Sequence, residues 1–119
     1  MTSPQALDEP DRRLVAAWAA DCAERVLALF EAEVPDDGRP RDGIDRARRF
    51  AAGELDTAGQ IRDRFVAGPA AHAASSDVGR AAARAAGQAS GVAHLGAHAL
   101  GAAAYAARAP ELAPPRRRR

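Results

Sequence analysis

Apolar residues recur at spacings of three and four from Leu14 to Phe30. Leu14, Val15, Trp18, Cys22, Val26, Leu29 and Phe30 draw one stripe along a stretch that Pro35 bounds. Asp8 supplies an N-cap, and Pro10 and Asp11 suit a first turn whose N–H groups have no partner and whose dipole favours acids. The pattern predicts a first helix from Asp8 with that stripe as its buried face. Asp21 and Arg25 fall on or beside the stripe, within about 60° of Trp18 at 100° per residue. They read either as an exposed i, i+4 pair or as half-buried polar groups that orient a partner on another helix.

Residues Val34 to Arg41, VPDDGRPR, hold two Pro, a Gly and two Asp, the clearest loop signal in the chain. A second helix is expected from about Arg41 to Ala52, with Ile44, Ala47, Phe50 and Ala51 inward and Asp42, Asp45, Arg46, Arg48 and Arg49 outward. Gly53 ends it. Asp56 or Thr57 can cap a third helix carrying Ile61, Phe65 and His72. Gly68-Pro69 interrupts that helix, because proline removes a hydrogen bond and clashes with the carbonyl four residues back, so a short helix restarts at Pro69. Ser75, Ser76 and Asp77 form the next cap, and helix resumes near Val78.

From Ala85 to Ala107 there are 23 positions without an Asp, Glu, Arg or Lys, in a chain that is 28% charged. Read as one rod reaching about Arg108, this stretch places Gly87, Gly91, His94, His98, Gly101 and Tyr105 within about 40° of one line. Glycine in a helix costs roughly 0.5 to 1 kcal/mol relative to alanine, so these glycines imply close packing, here against the first helix. A membrane span is not expected. Two His, a Gln and a Ser oppose it, and Val92, Leu95 and Leu100 are its only aliphatic anchors.

Composition turns the pattern into a fold class. Alanine supplies 33 of 119 residues, against 19 for Leu, Ile, Val and Phe together, so the core must come from close backbone approach. The expectation is an all-α protein, a compact bundle of four to five helices around an Ala/Gly-rich C-terminal helix. Residues 1–9 read as an N-terminal extension, 10–109 as a single helical domain and 110–119 as a disordered Pro/Arg-rich tail. All 17 basic residues are arginine, and four of them are Arg116, Arg117, Arg118 and Arg119. Residues 1–115 therefore hold 13 arginines against 16 acids, a formal charge of −3. Nucleic acid is not an expected partner except through the arginine tail. The single cysteine, Cys22, excludes an internal disulfide and fits a reducing, cytoplasmic location, and the first residues show no signal-peptide pattern.

Candidate chemistry is sparse. His94 and His98 have the i, i+4 spacing at which two imidazoles can share a metal, with Asp21 and His72 as minority ligands from elsewhere, but there is no HExxH. No nucleophile elbow, Walker pattern or dinucleotide fingerprint is present, so no catalytic residue and no cofactor is expected. One physical expectation joins the polar residues. A buried stripe of His94, His98 and Tyr105 needs partners, and Asp21 and Arg25 are the polar groups on the strongest apolar face. Asp21 is therefore expected to accept a hydrogen bond from His94 or His98 in a buried cluster. Two other readings stay open: a small-ligand or metal-binding bundle around these residues, and a nucleic-acid accessory protein acting through its tail. An alanine-rich face can also bury itself in a homodimer.

The strings Trp18-Ala19-Ala20-Asp21-Cys22-Ala23-Glu24, Arg39-Pro40-Arg41 and Ala70-Ala71-His72-Ala73-Ala74 are similar to those of a known family. So are His94 and the run His98-Ala99-Leu100-Gly101-Ala102-Ala103-Ala104-Tyr105-Ala106. Together they resemble the putative immunity protein family of bacterial polymorphic toxin systems, immunity-5-like and all-helical, over roughly Asp11 to Leu112. The resemblance implies a small cytosolic, non-enzymatic protein that neutralises a cognate protein toxin by binding it. It carries over no catalytic residue. The chain departs from the family pattern at Gly68-Pro69 and in its tetra-arginine end.

Overall fold

The computed structural model describes residues 7–56, 68–93 and 96–112. Among these the protein is all-helical: α1 (Glu9–Glu31), α2 (Arg39–Ala51), a 3-10 segment (Gly68–Ala73), α3 (Asp77–Ser90) and α4 (His98–Leu112). α1 and α3 pack together at the centre, and α2 and α4 each pack on both. The expected third helix between residues 57 and 67, with Ile61 and Phe65, lies outside the described residues.

The local signals are realised closely. Asp8 caps α1, its side chain accepting from the Asp11 N–H at 2.9 Å, with Pro10 in the first turn. α2 starts two residues earlier than its apolar pattern suggests, because Pro40 serves its first turn and is itself buried. Its end is a Schellman motif. Gly53 takes the left-handed conformation (φ 80°), and the N–H groups of Gly53 and Glu54 donate to Phe50 O and Arg49 O at 3.0 and 2.8 Å. Arg13 of α1 closes the same end. Its guanidinium stacks 4.5 Å from the Phe50 ring centroid and donates to Phe50 O, binding the helix-end carbonyl that the dipole makes most attractive to a cation.

α1 buries a different face from the one its large residues mark. Ala16, Ala19, Ala20, Ala23, Val26, Leu27 and Phe30 are buried, whereas Leu14 is 71% and Trp18 47% exposed, and Val15, Cys22 and Leu29 are only partly covered. The reason lies in the partner. α3 offers Gly79, Ala81, Ala82, Ala85, Ala86 and Ala89, and small side chains on both helices let the backbones approach closely where Trp18 would hold them apart. The bulky side chains Phe30, Phe50, Ile44 and Val92 are fully buried in the same core.

The uncharged stretch is a hairpin, not a rod. α3 stops at Ser90, residues 91–93 and 96–97 are in turns, and α4 folds back onto α3 in the most extensive helix contact of the fold. Gly87, Gly91 and Gly96 make continuation costly, at about 1 kcal/mol each relative to alanine. The glycines are contact points for partners other than α1's stripe. A Cβ at Gly91 would stand 3.0 Å from the His98 ring, and one at Gly101 would strike the Gln88 amide, 2.8 Å from its Cδ. Gly96 is covered by Leu7, so the chain just before α1 packs on the hairpin turn. At the far end α4 continues through Pro110 to Leu112, three residues beyond the expected domain end at Ala109.

Glu33, just past α1, ties that helix to the start of α3. Ser75 N and Oγ and Ser76 N donate to its Oε1 at 3.1, 3.0 and 2.9 Å, and Ser76 Oγ donates to its Oε2. Ser76 is also the N-cap of α3, accepting from Gly79 N at 3.0 Å. The Ser76 hydroxyl above all, with the Ser75 hydroxyl and both N–H groups, holds the Glu33 carboxyl below its ordinary pKa against the opposing effect of burial.

Candidate protein-binding face

Burial of the alanine face sends the opposite side of α1 to solvent. Counted from Ala16 at 100° per residue, Asp21, Leu14, Arg25 and Trp18 fall at about 140° to 200°, directly away from the buried set. All four are exposed. Leu14 and Trp18, one turn apart, give this face a continuous apolar ridge. With Leu100, they are the exposed large hydrophobic residues among those described.

Arg48 of α2 borders the ridge on one side. Its guanidinium donates to Asp21 Oδ1 at 3.0 Å and to both Glu24 oxygens at 3.0 and 2.7 Å. The paired acids raise the Arg48 pKa, and Arg48 holds the Glu24 carboxyl below its ordinary value. Nearer the end of α1, Arg41 makes a two-point contact with Glu31 at 2.9 and 2.6 Å. These pairs fix α2 beside α1 while remaining largely solvated. On the other side, α1 and α4 enclose an apolar groove of about 380 Å³, where Cys22, Arg25 and Val26 face Ala103, Ala106, Ala107 and Pro110. Trp18 precedes the lining residue Cys22 by one turn of α1.

The polar residues singled out in the sequence are not brought into one buried cluster. Asp21 is exposed and its carboxylate is taken by Arg48, because α1 turns it away from α4. Arg25 is exposed at the lip of the groove. His98 is half-buried, and its Nδ1 donates to Gln88 Oε1 at 2.8 Å across the hairpin, a partner the sequence pattern did not suggest. Tyr105 is half-buried between α3 and α4. His72 is exposed in the 3-10 segment, and His94 lies outside the described residues. Among the described residues no three His, Cys, Asp or Glu side chains gather as a metal site, and no helix is long and apolar enough to cross a membrane. Asp21→Ala is accordingly expected to change stability by no more than about 0.5 kcal/mol, since the ion pair is exposed and Arg48 keeps Glu24. Chemical denaturation of the two proteins checks it, and a loss above about 1 kcal/mol would restore Asp21 to the core.

Fold and surface define a small alanine-cored helical bundle whose distinctive exterior is an apolar ridge on α1. Its sequence places it more closely: the chain belongs to the Imm-5 like putative immunity protein family, whose family model matches residues 5–119. No curated protein and no solved structure matches the chain.

Proposed function

We propose that this protein is the immunity partner of a bacterial toxin, acts in the cytoplasm by direct binding without catalysis, and engages the toxin through the outward face of α1. Family membership supports the role. The observation that supports the surface is the exposure of Leu14 and Trp18 on a helix that buries Ala16, Ala19, Ala20 and Ala23 over the same turns. A packed core normally claims its large apolar residues, and tryptophan and arginine are enriched where proteins meet. Here the ridge combines Trp18 and Leu14 with Arg25 and with the charged rim of Asp21, Glu24 and Arg48.

The test is genetic and physical. The product of the reading frame beside this gene, expressed alone, is expected to arrest growth; co-expression with this protein is expected to restore it, and the two are expected to co-elute as a complex. A neighbouring product that is toxic yet neither rescued nor bound would end this reading. The same ridge meeting its own copy would give a homodimer, which sedimentation of the isolated protein separates from toxin binding.

A further inference from the structure

Away from the α1 ridge, α3 and α4 enclose a polar recess of about 330 Å³ lined by Asp77, Ala81, Arg84, Tyr105 and Arg108. Spacings of four and three set Asp77, Ala81 and Arg84 on one face of α3, and a spacing of three sets Tyr105 and Arg108 on one face of α4. Ala81 is buried and short, so the floor is left unfilled. Elsewhere the arginines of the described residues mostly meet acids: Arg13 with Glu9, Arg39 with Asp37, Arg41 with Glu31, Arg48 with Asp21 and Glu24. Arg84 and Arg108 are exposed and form no ion pair among the described residues. The acid in the recess, Asp77, is engaged by Arg80 at 2.5 Å. Its carboxyl is held below its ordinary pKa first by Arg80, with smaller contributions from Arg108 and Arg84, so both guanidinium groups already stabilise negative charge at this point.

We propose that the recess of Arg84, Arg108 and Tyr105 is an oxyanion site that receives an aspartate or glutamate side chain of a protein partner. Two guanidinium forks and a phenol hydroxyl suit a carboxylate, and hydrogen bonds to an ionised acceptor are the strong ones. A polyphosphate chain fits less well. It needs a row of cations, whereas Asp77 stands in this recess and residues 1–115 carry a formal charge of −3. The proposal rests on the toxin-binding role and adds an acidic anchor to it, on a different helix pair from the ridge.

Two arms test it with the full chain. In the first, amide and Arg Nε resonances are followed while hexaglutamate peptide, or pyrophosphate, is added at constant ionic strength. The readout is local to Arg84, Tyr105 and Arg108, since Arg116 to Arg119 also attract anions. Saturating shifts at these residues with the peptide are expected, and their loss in Arg84→Ala/Arg108→Ala. Shifts that are absent or spread evenly over the surface overturn the site, and tighter binding of pyrophosphate than of peptide overturns the protein source. In the second arm the neighbouring toxin is bound to both proteins. About a tenfold loss of affinity per arginine is expected, with a weaker salt dependence in the variant. Equal affinity overturns the proposal. A wild type that binds no toxin removes the binding role instead, and the peptide arm still decides the recess. Both arginines are exposed, so an unchanged melting temperature verifies that the variant is folded.

Discussion

Trp18→Ala is expected to weaken binding of the cognate toxin about thirtyfold or more while leaving the protein folded. The binding effect follows from what an interface anchor loses: a tryptophan truncated near the centre of an interface typically costs 2 kcal/mol or more, roughly a factor of thirty. The small cost to folding follows from geometry. Trp18 is 47% exposed and points away from the alanine face that α1 presses on α3, so its removal opens no internal cavity. A stability loss of no more than about 1 kcal/mol is expected. Leu14→Ala, one turn away, should weaken binding less, because less area is removed. Leu100→Ala is the control, being as exposed as Leu14 but on α4. Calorimetric titration of the toxin into each variant reads the order. Unchanged affinity for Trp18→Ala beside a loss for Leu100→Ala would move the interface off α1.

That expectation depends on a distinction the sequence obscured. Signals confined to a few residues were legible: Asp8 and Ser76 as caps, Gly53 as a stop and Pro69 as a restart all follow from local hydrogen bonding and φ preferences. The face of α1 was not, because a stripe of large residues outweighs alanines in any hydrophobic reading. The choice between them is made by the partner helix, whose own alanines reward close approach. The turn within the uncharged stretch is hidden for a related reason. Its glycines signal close contact, but what covers Gly101, Gly91 and Gly96 is Gln88, His98 and Leu7, reached only because α4 folds back onto α3. Asp21 illustrates the cost to the candidate site. Its position on the large-residue stripe suggested a buried partner for a histidine, whereas the rotation of α1 gives it to Arg48 and to solvent.

Gly79→Ala should destabilise the protein, against the ordinary preference of helices for alanine. Gly79 lies in the first turn of α3 and is buried; an added Cβ would fall on Glu33 Oε2, 2.8 Å from Glu33 Cδ and 3.0 Å from Ala74 Cβ. The carboxylate cannot yield freely, since it accepts from the N–H and hydroxyl groups of both Ser75 and Ser76. Overpacking of this kind costs about 1 to 3 kcal/mol, which exceeds the gain of up to about 1 kcal/mol from helix propensity. The sign should change when the obstacle is removed. In a Glu33→Ala background Gly79→Ala is expected to be neutral or slightly stabilising, with the Ala74 contact absorbing part of the gain, so the cycle should show a coupling above about 1 kcal/mol. Glu33→Ala alone should cost about 2 to 3 kcal/mol through the lost charge-assisted hydrogen bonds. Acid supplies an independent check on that carboxylate. Its pKa is lowered in the folded state, so its contribution is complete above the unfolded value of about 4.5 and is lost as pH falls through the lower folded value. The stability gap between wild type and Glu33→Gln should therefore close on acidification below pH 4.5. Equal destabilisation by Gly79→Ala in both backgrounds would place the clash on Ala74 and deny Glu33 its role as the clasp between α1 and α3.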